Sequence, residues 1–289
     1  MSLQVTKKEH LTSRFSNAIE QLGSKEPDTK VGAIYALGRL ALESGEDRLV
    51  ITDLLIDFVR AKTQMDGSQI DPAKVCREGD ATPRDVVAAL RLLLFDLVDE
   101  RRVHRVDLRR ACLKGVEFPG ADLTCVSMEG AVVYTSVFVE ANFVRASLSS
   151  AQLEGSDFRR ADFTGALAHR TEFGIGIDPV MAPADLREAN LRDADLSRAK
   201  VISVDLSGAD LTATVLREAD LRDTVVSGGV LPTFVDDATN VPPGVKGTLS
   251  NAPAAPGRNC PTWSVPPPGC PETGIPVPDW LRCWLRERT

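Results

Sequence analysis

The residues in this 289-residue chain that could do chemistry are few and far apart: three histidines, His10, His104 and His169, and six cysteines, Cys76, Cys112, Cys125, Cys260, Cys270 and Cys283. A zinc site would need Cys or His pairs a few residues apart, and a redox centre a Cys-x-x-Cys turn. Neither spacing occurs, so the cysteines read as reduced thiols and not as a disulfide framework or a metal site. No cysteine has a base placed beside it in sequence, and no Gly-rich phosphate loop is present. The expectation is a protein that is no enzyme, with no catalytic, metal or cofactor residues.

Acidic residues are the other candidates. Asp122, Asp162, Asp195, Asp205, Asp210 and Asp220 each stand just before a large apolar residue. They could present a negative face, or they could serve turns by hydrogen bonding from side chain to backbone. The turn reading is preferred, because residues 103–231 hold 19 Asp and Glu against 14 Lys and Arg, with Arg159, Arg160, Arg187, Arg192, Arg217 and Arg222 interspersed. A net charge of −7 over the whole chain argues against direct nucleic-acid binding, which needs a basic face.

These acidic residues belong to an internal repeat. From Val103 to Leu231 a large apolar residue recurs every five positions with a small one two residues earlier, as in ADLRE ANLRD ADLSR. Two positions apart in extended chain, both point to one side. Five is odd, so the chain must turn after every unit to keep all pairs inside, and it can do so repeatedly only by coiling. Phe118, Phe138 and Phe158 are twenty apart, as are Phe143 and Phe163, and Leu113, Val133 and Leu153 form an aliphatic column. Twenty residues per coil means four units per coil, so the 24 units counted make six coils and a rod of about 29 Å at about 4.8 Å per coil.

The A(D/N)LxX units resemble the pentapeptide repeat family. That resemblance implies a right-handed quadrilateral β-helix and a role in binding proteins without catalysis. Well-understood members of the family imitate duplex DNA and protect the topoisomerase gyrase, so a DNA-mimicking modulator of a type II topoisomerase is the alternative to a general interaction scaffold. The stretch QLGSKEPDTKVGAIYALGRLALES also resembles the helical segment before the repeats in many actinobacterial members, and one turn of a HEAT-like array.

The fold class expected is therefore α+β in several parts: an α-helical cap over residues 1–102, the solenoid over 103–231, and a Pro-rich tail over 232–289. In the cap, apolar spacing predicts helices over about 6–22, 28–43 and 47–62, with Asp47 capping the third, then a polar loop over 64–82 and a helix from Pro83 to about Val103. The cap is expected to pack on the first coil. The repeat frame breaks once, between Phe173 and Leu186, where eight residues are extra. In this loop, 174–183, Ile175, Ile177 and Met181 either fill the space beside Ala166 and Ala168 or, with Asp178, form an interaction loop. At the far end, Asp279 is placed to cap a short helix with Trp280, Leu281, Trp284 and Leu285 on one side, a stripe expected to dock on the solenoid's open end or on a second copy as a homodimer. No apolar run reaches the roughly 20 residues of a membrane span and the start lacks a signal segment, so a cytoplasmic location without membrane is expected.

Overall fold

A computed structural model of the chain describes residues 2–65, 72–97, 106–174, 182–229 and 239–241. The N-terminal part is helical: α1 (Ser2–Leu22), α2 (Pro27–Glu43), α3 (Gly45–Thr63), α4 (Pro72–Glu78) and α5 (Arg84–Arg91), the last continuing as a π-helical turn over Leu92–Asp96. Pro27 opens α2, where a missing N–H costs no helical hydrogen bond. Helix α3 begins at Gly45, and its cap is Ser44, whose Oγ accepts from the Asp47 N–H at 3.3 Å. The sequence expectation of Asp47 as cap is thereby corrected: Asp47 sits one turn in, where its charge meets the positive end of the helix. A second correction concerns 64–82, expected as a loop but carrying α4.

The buried faces of these helices form one core. Ile34, Leu37 and Leu40 of α2 meet Ile51, Leu55 and Val59 of α3 and Val86, Ala89 and Leu90 of α5, with Leu11, Phe15, Ile19 and Leu22 of α1 packed against them. Tyr35 of α2 points outward and is 46% exposed. Gly38 is needed for close approach, since a Cβ there would lie 2.8 Å from the Leu92 methyl carbons.

The same core continues without a break into the repeats. Phe95 meets Phe118 at 6.4 Å, and Leu93 and Leu94 lie over the first coil. The cap also covers that coil's open edge. The Asp122 N–H donates to the Leu94 carbonyl at 3.1 Å, the Met65 N–H to the Arg110 carbonyl at 2.9 Å, and the Thr82 N–H to the Lys114 carbonyl at 2.9 Å. An unpaired edge invites association with other chains, and here it is used up within the molecule.

The repeats coil. Short strands β1 (Cys112–Lys114) and β2 (Val132–Tyr134) pair in parallel, as do β3 (Glu172–Gly174) and β4 (Lys200–Val201). Elsewhere the described residues hold isolated parallel bridges, because each extended piece is cut short by the next turn. These bridges run in four columns: Asp107, Ser127, Ser147, Leu167, Asp195 and Val215; Val132, Gln152, Glu172, Lys200, Asp220 and Asn240; Glu117, Val137, Asp157, Asp185, Asp205 and Val225; Asp122, Asn142, Asp162, Asn190 and Asp210. The step is twenty residues, and 28 wherever a column crosses residues 175–181. Eight residues are thus inserted with all four columns continued, the register slipping by one where Gly174 pairs with Val201. The ladder also takes in Asn240, beyond Leu231 where the apolar frame read from sequence ends. Thr239 there stands in the small position and its Oγ1 donates to the Leu216 carbonyl at 2.8 Å.

Inside, the small position is as crowded as its residue type implies: Ala121, Ala141, Ala146, Ala151, Ala161 and Ala166 are wholly buried. Large residues fill the axis, with Phe138 stacked on Phe158 at 5.5 Å and Phe143 on Phe163 at 4.9 Å. Where a hydroxyl replaces alanine it finds a partner, Thr171 Oγ1 donating to the Leu148 carbonyl and Thr214 Oγ1 to the Leu191 carbonyl.

Candidate interaction surface

The outer surface of the coils is built from three positions per unit, the one before the large residue and the two after it. The second of the two lies in the left-handed region throughout: Arg110, Glu140, Arg145, Arg160, Glu188, Asp193, Arg198 and Glu218 all have φ of 56° to 61°. This is the turn that the odd spacing demands, and glycine fills it at 115, 120, 130, 155, 165, 208 and 228. The large number of non-glycine residues there has a local cause. The Asp or Asn before the large residue accepts from the backbone N–H two residues on, as in Asp122 to Thr124 at 3.0 Å, Asn142 to Val144 at 3.0 Å, Asp162 to Thr164 at 2.9 Å and Asp210 to Thr212 at 2.9 Å. Asp107, Asp157, Asp185, Asn190, Asp195, Asp205 and Asp220 do the same. The turn role read from sequence is the one these residues play.

Their charge is also compensated. Arg109 on Asp107, Arg159 on Asp157, Arg187 on Asp185 and Arg222 on Asp220 form close pairs of 2.6 to 2.7 Å within single units. Others link successive coils: Arg160 to Glu140, Arg192 to Asp210, Arg198 to Glu218 and Lys200 to Glu172. The hydrogen bond from Arg109 holds the Asp107 carboxyl below its usual range, and that from Arg222 does so for Asp220. At Asp157 burial works upward, but the Arg159 side-chain and backbone bonds outweigh it. Burial lowers His169, with Asp195 opposing. The surface is a mixed-charge lattice of guanidinium and carboxylate groups.

One flank is different. Helix α4 lies along β1 and β2, and its Cys76 is joined to Cys112 of β1 by a disulfide with Cα atoms 5.6 Å apart, within normal disulfide geometry. Cys125 is disulfide-bonded too. For the three described cysteines the reading as reduced thiols is therefore overturned. The partners are 36 residues apart, on elements that meet only in three dimensions, so no spacing in the sequence announces the pair. Around the disulfide, Lys114 Nζ donates to the Arg77 and Gly79 carbonyls at 2.7 and 2.6 Å, and the Arg77 guanidinium to Gln152 Oε1 at 2.7 Å.

Next to that clamp, Glu154 is 1% exposed and neither carboxyl oxygen has a hydrogen-bond partner. Burial pushes it up to about 7; Glu172 adds to this, while its own backbone bond, Arg77 and Lys200 oppose it. Sequence reasoning missed this residue because acidic residues are common in the repeat and only packing reveals a buried one.

Gly174, at the exit to the inserted residues, approaches the ladder so closely that a Cβ would lie 2.2 Å from the Ile202 carbonyl oxygen. Of the residues singled out from sequence, Ile175, Ile177, Asp178 and Met181 lie outside the described residues, as do Trp280, Leu281, Trp284 and Leu285. Among the described residues no group of three or more His, Cys, Asp or Glu could hold a metal ion, and no helix is long and apolar enough to cross a membrane.

Comparison with known proteins bears on the coils alone. The family model described as "Pentapeptide repeats" matches in eight copies, over residues 104–134, 136–167 and 189–228. No curated protein sequence matches significantly. Among solved structures, a pentapeptide repeat protein of the Arabidopsis thaliana thylakoid lumen is 23% identical over 38% of this chain and 74% of its own, with a TM-score of 0.32. HetL of the cyanobacterium Nostoc, involved in heterocyst differentiation regulation, is 21% identical over 46% and 58%, with a TM-score of 0.28. Full-length QnrB1, a plasmid-mediated fluoroquinolone resistance protein, is 16% identical over 43% and 84%, with a TM-score of 0.24. At such scores the overall shapes carry no argument about function.

Proposed function

We propose that this pentapeptide repeat protein is a non-catalytic, cytoplasmic interaction scaffold, whose coils close as a right-handed quadrilateral β-helix between an N-terminal helical cap and a C-terminal tail. The shape is supported by four columns of parallel bridges at a step of twenty residues, 28 across the insertion. The observation that carries the function is what the acidic residues are doing. Each Asp of the columns is committed to its own turn, and most are further bonded to arginine, so the surface offers paired charges and not an unbroken negative strip. A duplex mimic needs the strip, because steering and binding by a phosphate-like face depend on an uncompensated field. A long regular lattice of exposed polar groups suits a protein partner that reads shape and local charge pairs.

The experiment is DNA supercoiling by purified gyrase, with and without a molar excess of the protein. Unchanged supercoiling is expected. Inhibition, or protection of the enzyme from a quinolone, lost when residues 174–183 are deleted, would replace the scaffold with the topoisomerase-directed reading. Residues 174–183, with Ile175, Ile177, Asp178 and Met181, are proposed as an interaction loop of that scaffold. The Trp280, Leu281, Trp284 and Leu285 stripe is proposed to dock on the solenoid or to join two copies.

A further inference from the structure

We infer that the Cys76–Cys112 disulfide is a redox-operated staple, holding α4 across the β1–β2 flank when oxidised and releasing it when a dithiol reductant cleaves it. The flank is built for this. Helix α4 has seven residues, too few to persist by its own hydrogen bonds, so it depends on what it is attached to. Its attachments include the disulfide, the two Lys114 Nζ bonds to the Arg77 and Gly79 carbonyls, and the Arg77 bond to Gln152, with Thr82 beyond its end paired to Lys114 through two further bonds. Apart from the disulfide, these are polar contacts, those of Lys114 Nζ to Arg77 and of Arg77 to Gln152 part-buried and the one to Gly79 exposed, and each contributes little net because water can replace the partner once the helix moves. The apolar contact beneath is small, a satellite of Cys76, Val132, Met65 and Cys112 separate from the main core. Loss of the S–S bond therefore removes the strongest link without touching the axis of the coils. The reversible character of the staple rests on the cytoplasmic location proposed above, where disulfides are typically transient and redox-sensing.

The chemistry balances with a dithiol as reductant. Cys112 is half-buried and Cys76 is 3% exposed, so the attacking thiolate bonds to the Cys112 sulfur and the Cys76 sulfur leaves as thiolate, taking a proton from water. The second thiol of the reagent then displaces the Cys112 sulfur. The protein gains two thiols, and the reagent loses two electrons and becomes a disulfide. Freed α4 leaves Val132, now 2% exposed, open to solvent or to a partner, and takes Arg77 away from Gln152 and the neighbouring Glu154.

The test is amide hydrogen exchange of the full chain before and after dithiothreitol, with differential alkylation to identify the thiols released. Reduction should label Cys76 and Cys112 under native conditions and raise exchange over residues 72–78 at least tenfold, while amides of 118–163 keep their protection. Dithiothreitol also reaches other disulfides, so the doubly substituted variant Cys76→Ser/Cys112→Ser isolates this one. It should show the fast exchange over 72–78 without reductant and gain nothing from adding it. The staple is refuted if α4 stays equally protected in the reduced protein and in the variant. It is also refuted if the pair reacts only once the coils unfold, or if both forms lose the coils, since the disulfide is then a structural bond.

Discussion

The coils before the inserted loop and those after it share one backbone but fill it differently. From Phe118 to Phe173 half of the axial positions are aromatic, with six buried phenylalanines in stacked, edge-on and, at Phe118, tilted contact. From Leu186 to Leu221 it is aliphatic, with Leu191, Leu196, Val201, Leu206, Leu211 and Leu216 in the same role. The bridges continue at the same step through both halves. The path of the chain is therefore set by what the halves have in common, the crowded alanine and the left-handed turn supported by its Asp. The axis has only to be filled. Both halves carry ion pairs between coils on their surface, Arg187 to Asp205, Arg192 to Asp210 and Arg198 to Glu218 in the second, and Arg160 to Glu140 and Arg159 to Asp185 from arginines of the first.

If filling is all that matters, deleting an axial side chain should cost about the same in either half. Phe138→Ala should destabilise by about 3 to 5 kcal/mol and Leu206→Ala by about 2 to 5 kcal/mol, measured by urea unfolding. A neutral Phe138→Ala would mean that the aromatic column is ornament and the halves differ in kind.

The next largest effect belongs to the first half alone. Glu154 sits at about 7 against an ordinary 4.5, raised chiefly by burial. With the folded value above the unfolded one, its contribution is fully present below about pH 4.5 and is lost as pH rises through about 7, a change of about 3 kcal/mol. Glu154→Gln should flatten the stability curve between those limits, and the chain should gain stability at pH 8 relative to the parent. An unchanged slope would show that the carboxyl reaches water.

Turn chemistry should be shared. Asp162→Ala and Asp210→Ala each remove one side-chain acceptor from a left-handed turn, and each should cost about 1 kcal/mol, equal in the two halves, by thermal unfolding. A cost confined to one half would break the claim that the turns specify the coil.

The smallest effect is reserved for the ion pairs that link successive coils. Arg198 and Glu218 are nearly half exposed, so Arg198→Ala should lower stability by less than about 1 kcal/mol, and by less still in high salt. A larger loss would give the lattice of the second half a structural role beyond recognition.

The sequence by itself determined the coil. A five-residue period in small and large apolar residues fixes which side chains go inside, the twenty-residue recurrence of phenylalanine gives the step, and the extra eight residues are visible as a break in frame, because all three are local or periodic properties of the chain. The helices of the cap were legible for the same reason, apart from α4, whose seven residues hold no pattern long enough to read. What only the tertiary structure decided is where non-periodic segments land. The Cys76–Cys112 bond, the Leu94 carbonyl closing the first coil's edge and the burial of Glu154 all arise where the cap and its connection lie against the coils. No spacing encodes such a meeting, since partners 28 residues apart, as Leu94 and Asp122 are, or 36 apart, as the two cysteines are, are brought together by the packing of whole elements and not by the run of the chain between them.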